Sequence, residues 1–342
     1  MYRARLVSRT LASVSLALCV PVVVTACGSS PSSKDSGQTG AGPSGTTSVE
    51  IAQGAGAGST PGSIQVAVQP DIRNELPPSV VSRGKFVIGV GALGQGAPPL
   101  AFVGSDGKTV TGSDPDLARL VAAVFGLAPD VENSTFDNLF VGIDSGKVDA
   151  GFSDTTITEQ RKKKYEFASY GQDNLGFGAK ASNTWNFNGN YENLAGLTVA
   201  VDAGTSQEKL LLSWQSKLQA EGKSLSLKYF PDVSSAWSAV VSGQVDAYFI
   251  ADPTVLYQAK STAGTPRAIR DAGAVSASGS SLQGLIGATT KQGSGLVKPI
   301  ADAINHLIKN GQYQQLLNAY GLISDAVPAS VVNPPGLPAS GS

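Results

Sequence analysis

The densest chemical grouping in the chain is Ser153-Asp154-Thr155-Thr156-Ile157-Thr158-Glu159-Gln160-Arg161. An acid, several hydroxyls and an arginine follow the strand-like run VDAGFS and stand next to a helix start. Free backbone amides at a helix start favour an anion. An arginine fork meets a planar carboxylate with two charge-assisted hydrogen bonds. The same residues would serve equally as a capping turn with a solvated arginine, and spacing alone leaves both readings open.

Other chemistries are poorly supplied. The only histidine, His306, sits in the apolar-periodic stretch ADAINHLIKNGQYQQLLNAY and reads as a helix-surface residue. The only cysteines are Cys19 and Cys27. Histidine-based triads and His/Cys zinc sites are therefore out of reach, and the reading assigns no catalytic residue, no metal and no cofactor. The turn GSDGKT resembles a phosphate loop only until Phe102, where that pattern needs glycine, so it reads as a hairpin turn. Formal charge is −1, from 25 Lys+Arg against 26 Asp+Glu. Losing Arg3, Arg5 and Arg9 with residues 1–26 leaves 22 against 26, a net of −4 with no basic field for nucleic acid.

The elements that must position the cluster alternate strand and helix. KFVIGVG (85–91) is a buried-strand run closed by glycine. In TGSDPDLARLVAAVFGL, Asp114 is the expected N-cap with Pro115 at the first helical position, and Leu117, Leu120, Val121, Val124 and Phe125 form one stripe. A second helix over 136–145 ends at Gly146. Such alternation implies an α/β fold whose mostly parallel sheet binds ligands at the carboxyl ends of its strands. SGKVDAGFSD (145–154) returns as SGQVDAYFIAD (242–252), which suggests two lobes of like construction.

The ends read differently. A basic start and the apolar run LASVSLALCVPVVV, too short to span a membrane, lead to Val24-Thr25-Ala26-Cys27. This resembles a bacterial lipobox, which implies a signal peptide over 1–26 and lipidation of Cys27. Residues 27–82, rich in Gly, Ser, Thr, Pro and Ala, read as a flexible tether with a weakly signalled short strand around Ile64 to Val68, and 323–342 as a disordered tail.

Several stretches, in order, resemble the polar amino-acid-binding solute receptors of bacterial ABC importers: APPLAFVGSDGKTVTGSDPDLARLVAAVFGL, FDNLFVGIDSGKVDAGFSDTTITEQRKKKYEFASY, GLTVAVDAGTSQEKLL and the C-terminal GLIGATTKQGSGLVKPIADAINHLIKNGQYQQLLNAYGL. The resemblance implies a two-lobed periplasmic-binding-protein-like fold of type II. Two hinge strands join its lobes, with lobe one from 83–175 and 286–322, lobe two from 176–285, and the ligand in the cleft between them. It implies an extracytoplasmic, lipid-anchored, monomeric receptor that delivers a small carboxylate-bearing ligand to a separate permease and ATPase, and no enzyme. By the same resemblance Arg161 clamps the α-carboxylate, with Thr156, Ser153 and Asp154 on the same strand end. Gly204, Thr205 and Ser206 approach from lobe two, and Phe136 flanks the ligand side chain. The family's ammonium-binding acid falls on Ala251, one step before Asp252, while Asp154 stands where relatives carry Gly or Ser. Beside Arg161, Asp154 is expected to stay ionised and to hold a cationic group, with Asp252 the alternative. A dehydratase-like enzyme on the same fold and a ligand-sensing module acting through a partner protein are the competing functions.

Replacing Cys27→Ser is expected to move the protein from the detergent phase to the aqueous phase on phase partitioning, with ligand affinity unchanged. A variant that partitions with the wild type removes the lipid anchor from the reading.

Overall fold

A computed structural model describes residues 45–55, 59–93, 96–276 and 282–338. The signal segment and Cys27 lie outside these residues. The first part of the fold is built from β1 (Thr46–Ile51), β2 (Gly62–Ala67), α1 (Pro70–Arg73), α2 (Pro78–Arg83), β3 (Lys85–Val90), β4 (Phe102–Val103) and β5 (Val110–Thr111). Next come α3 (Ser113–Phe125), β6 (Ala128–Asn133), α4 (Phe136–Ser145), β7 (Ala150–Gly151) and β8 (Tyr165–Gln172). The middle of the chain supplies β9 (Asn174–Lys180), β10 (Thr198–Ala200), α5 (Ser206–Ala220), β11 (Ser226–Lys228), α6 (Val233–Ser242), β12 (Ala247–Ala251), α7 (Asp252–Thr262) and β13 (Ile269–Ser276). Then follow β14 (Leu285–Lys291), α8 (Val297–Lys309) and α9 (Gln312–Tyr320).

Two five-stranded sheets carry the fold, in the orders β6-β3-β7-β14-β8 and β11-β10-β12-β9-β13. In each, three parallel strands are followed by a fourth antiparallel to them and a fifth antiparallel to the fourth. The chain leaves the first sheet at β8, passes Asp173 and enters the second at β9; it leaves by β13 and returns by β14. The fourth strand of each sheet is thus the one arriving from the other lobe.

The repeated SGxVDA phrase does the same work twice. Gly146 (φ 74°) and Gly243 (φ 77°) close α4 and α6 in the left-handed conformation that glycine adopts without strain. Asp149 then accepts from Val87 N at 2.7 Å, and Asp246 from Thr198 N at 2.8 Å. Each acid fastens a new strand to its parallel neighbour, away from the strands' carboxyl ends. GSDGKT is a hairpin turn between β4 and β5, with Asp106 accepting from Lys108 N and Thr109 N.

Two expectations fail on packing. From Gly45 the supposed tether is a hairpin and two short helices. β1 and β2 pair with Val49 opposite Ile64, and Val49, Ile51, Ile64 and Val66 are buried. Composition hid this because the apolar residues alternate with Thr, Ser, Gln and Glu. No apolar run stands out along the chain, yet the alternation presents one continuous apolar face. The tail fails likewise: Val331 exchanges hydrogen bonds with Ser169, and Asn333 with Phe167, so residues 331–333 cover the free edge of β8. The helix cap differs too. Gly112, not Asp114, precedes α3, and Asp114 inside the first turn accepts from Asp154 N at 2.6 Å.

A buried node fastens the hairpin to the lobe. Asp116 Oδ2 accepts from Tyr320 Oη at 2.6 Å and Ala52 N at 2.8 Å, and Tyr320 Oη accepts from Gly112 N at 3.0 Å. Replacing Ile64→Ala is therefore expected to cost about 2–5 kcal/mol of stability, as for other buried aliphatic truncations. A denaturant midpoint indistinguishable from wild type would return this segment to the status of a tether.

Candidate functional site

The carboxyl ends of both sheets face a cavity of ≈ 360 Å³. From the first sheet's side it is lined by Gly91, Phe136, Ser153, Asp154, Thr156 and Arg161, and from the second by Asp202, Thr205, Ser206, Phe230, Asp232 and Ala251, among others.

Arg161 opens a short 3-10 turn after the segment 155–158, whose side chains are buried. Its guanidinium lies 5.6 Å from the Phe136 ring centroid and 5.4 Å from that of Phe140, two rings packed edge to face on α4. Nη1 donates to Thr156 O at 2.8 Å, and Nη2 reaches Gly204 O across the cleft at 3.4 Å. Phe136 therefore supports the arginine as well as lining the cavity. Thr156 Oγ1 and Ser206 Oγ are 2.8 Å apart, a direct hydrogen bond between the lobes. Lys209 Nζ donates to Gln160 Oε1 at 2.7 Å, a third bridge.

The loop before α5 is a capped helix start. Thr205 Oγ1 accepts from Glu208 N at 3.1 Å, and Glu208 returns by accepting from Gly204 N at 2.7 Å. Gly204 thus spends its amide on Glu208 and does not line the cavity, whereas Thr205 and Ser206 do. Ser153 Oγ accepts from Gly91 N at 3.0 Å and ties two strand ends together.

Asp154 lines the cavity in a left-handed conformation (φ 48°) that aspartate tolerates better than bulkier residues. Its amide donates to Asp114 Oδ2 and to Tyr170 Oη, at 2.6 and 3.1 Å. Asp252 is not among the lining residues. As the first residue of α7 it turns beneath Gly176, where a β-carbon would lie 2.5 Å from Asp252 Oδ1. That oxygen is buried without a hydrogen-bond partner among the described residues. One step past the strand end has reversed its facing. Two acids that sequence reasoning missed, Asp202 and Asp232, line the cavity from lobe two. Asp202 stands just past the carboxyl end of β10, and the strand-end rule that singled out Asp154 applies to it equally.

A family model for bacterial extracellular solute-binding proteins, family 3, matches residues 89–323. The chain belongs to this family. It is 25% identical to the arginine-binding protein ArgT of Corynebacterium glutamicum over 77% of this chain and 83% of that protein. The L-cystine-binding protein TcyJ of Escherichia coli is 26% identical over 69% of this chain and 82% of its own length. The P235GK mutant of an arginine-binding protein from T. maritima superposes with a TM-score of 0.59 at 25% identity, covering 71% of this chain and 97% of that one. The two lobes thus form a type II periplasmic-binding-protein fold, and the protein is an extracytoplasmic solute receptor. The β1–β2 hairpin and the covering tail lie outside the matched span.

In this receptor the acids behind the cleft are held away from their ordinary ionisation. Burial pushes the Asp154 carboxyl well up, and Asp173, Asp114 and Asp325 push it further, against the opposing pull of Arg161. The expectation that Arg161 keeps Asp154 ionised is thus reversed, because desolvation and three like charges outweigh one arginine. Burial also raises Asp114 and Asp173. For Asp252, burial first and then Asp271 and Asp325 push the carboxyl up to about 6.

A carboxyl raised on folding adds stability that is complete below its unfolded pKa, near 4, and is lost as the pH rises through its folded value, about 6 for Asp252. The ligand-free receptor is therefore expected to melt higher at pH 5 than at pH 7.5, with Asp252→Asn flattening part of that slope. Superimposable melting profiles of variant and wild type across this range would show that Asp252 carries no such penalty.

Proposed function

We propose that the receptor captures a cationic α-amino acid and delivers it, from a lipid anchor at Cys27, to the separate permease and ATPase of an ABC importer. The observation that carries this reading is the convergence of Arg161, Thr156 and Ser206. A guanidinium set against two phenyl rings stands beside hydroxyls contributed by opposite lobes, at a helix start whose dipole favours an anion. These groups suit an α-carboxylate. The rest of the cavity supports a positive ligand: Asp137, Asp154, Asp202 and Asp232 line it, and among the described residues Arg161 is the only basic one that does. The similarity to ArgT, an arginine-binding protein, agrees with that charge balance. Asp154, adjacent to Arg161, receives the α-ammonium, which shifts the acid toward its ionised form on binding. Ligand then stabilises the closed arrangement, because only that arrangement offers contacts from both lobes. The receptor acts as a monomer, and Ser153, Asp154, Thr156, Arg161, Thr205 and Ser206 do the binding, with Phe136 beside them.

One observation favours a second reading. Burial pushes the Asp154 carboxyl up, the direction in which a general acid of a dehydratase-like enzyme is tuned. Recovery of the ligand chemically unchanged after prolonged incubation, checked by mass spectrometry, removes this enzyme reading.

Arg161→Ala is expected to weaken binding of L-arginine by at least about thirtyfold, the consequence of losing a charged, largely desolvated partner worth about 2–5 kcal/mol. Calorimetry showing unchanged affinity in a folded Arg161→Ala protein would exclude Arg161 as the carboxylate clamp.

A further inference from the structure

The acids of the cavity are not equivalent, and their hydrogen bonds separate them. Asp232 caps α6 with both oxygens, accepting from Ser235 N at 2.7 Å and Ser235 Oγ at 3.0 Å. Asp137 is exposed in the first turn of α4. Asp154 lies on the segment that leads to Arg161 and lines the cavity with Ser153, Thr156 and Arg161. Asp202 differs from all three. Thr205 Oγ1 donates to its carbonyl at 2.7 Å, and Tyr248 Oη donates to its Oδ2 at 2.6 Å. Tyr248 is itself fully buried and packed edge to face against Trp237, 5.0 Å between centroids. The Asp202 carboxylate is therefore fixed in place, while no donor among the described residues reaches Oδ1.

Its position is equally specific. The hydrogen bond to Tyr248 draws Asp202 across to β12, whose terminal residue, Ala251, also lines the cavity and leaves room there. Phe230 and Val233 supply apolar flank on the same lobe. Burial pushes the Asp202 carboxyl up, the hydrogen bond from Tyr248 opposes that shift, and Asp232 adds to it. An anchored carboxyl group with one oxygen unclaimed, beside apolar surface in the cavity, suits a guanidinium or ammonium at the end of a methylene chain.

We propose that Asp202, held by Tyr248, reads the charge at the far end of the ligand's side chain. This rests on the amino-acid reading of the cleft. It adds that the selection for a cationic side chain is made by lobe two, with Tyr248 as the positioning residue.

The test compares L-arginine with L-citrulline, which has nearly the same shape and a neutral side-chain end, by calorimetry on the full-length protein. The wild type is expected to prefer arginine. In Asp202→Asn the arginine-to-citrulline affinity ratio should fall at least about tenfold, the typical effect of one hydrogen bond to a charged group. In Asp154→Asn both ligands should weaken together, leaving the ratio near its wild-type value. Tyr248→Phe, which keeps the buried ring, should lower the ratio through loss of the anchor, and it carries the test if Asp202→Asn fails to fold. A wild type that binds both ligands equally, or an Asp202→Asn ratio equal to wild type, overturns the assignment of Asp202 while leaving the receptor's amino-acid site intact. A wild type that binds neither arginine, lysine nor citrulline overturns the proposed ligand class, and this assignment with it.

Discussion

A guanidinium taken out of water must be surrounded by groups that replace its hydration, and the placement of Arg161 depends on that requirement. Rings from α4, a carbonyl from its own segment and a carbonyl from the opposite lobe each supply a part. Burial works against its charge, with Asp173 and Asp154 opposing that loss. The loop that presents it is fastened on both sides. Ile157 N donates to Leu285 O on β14, while Leu337 N donates to Ile157 O and Glu159 N to Leu337 O from the tail. Lys162 Nζ adds a bond to Pro334 O at 3.0 Å. A tail outside the matched family span therefore holds the segment that carries Arg161.

What was legible in the sequence follows from short-range rules. Gly146 and Gly243 needed only their own backbone conformation to end two helices, and the acids three residues later needed only a neighbouring strand. The bounds of α4 and the hairpin turn at Asp106 are equally local. The hairpin of β1 and β2 was missed because its stability comes from α3 and Tyr320, which are distant in sequence. Val49, Ile51, Ile64 and Val66 are too sparse to suggest a core unless their alternation is set against that surface. The same holds for Asp114, whose local environment suited a cap but whose partner is an amide forty residues away.

The site was legible as a set of residue types and less so as an electrostatic balance. Arg161, Thr156, Ser153, Phe136, Thr205, Ser206 and Asp154 all line the cavity, while Gly204 borders it and Asp252 turns away. Asp202 escaped notice because the sequence offers no sign that Tyr248, forty-six positions later, would fix its side chain. The ionisation of Asp154 was misjudged by counting only the nearest opposite charge. Asp173 belongs to the strand crossing and Asp325 follows α9, and neither neighbour can be foreseen without the fold.

This balance has a functional consequence that a simple carboxylate clamp would lack. Asp154 lines the cleft with Asp173, Asp252 and Asp325 behind it, and burial raises the carboxyls of all four against the single arginine of the cavity. Among the described residues, no hydrogen-bond donor reaches Asp173 Oδ2 or Asp252 Oδ1, so at these two oxygens the cost of burial goes unanswered by the protein's own donors. A cation entering beside Arg161 lowers that cost wherever its field reaches. The ligand's carboxylate satisfies the arginine at the same time. On the proposed reading a zwitterionic amino acid relieves two opposite frustrations in one cleft, its carboxylate at Arg161 and its ammonium at the acids, and an anionic solute relieves one of them at most. On the same reading, the grip on the ligand's ammonium is a property of the strand crossings as much as of the atoms that touch it.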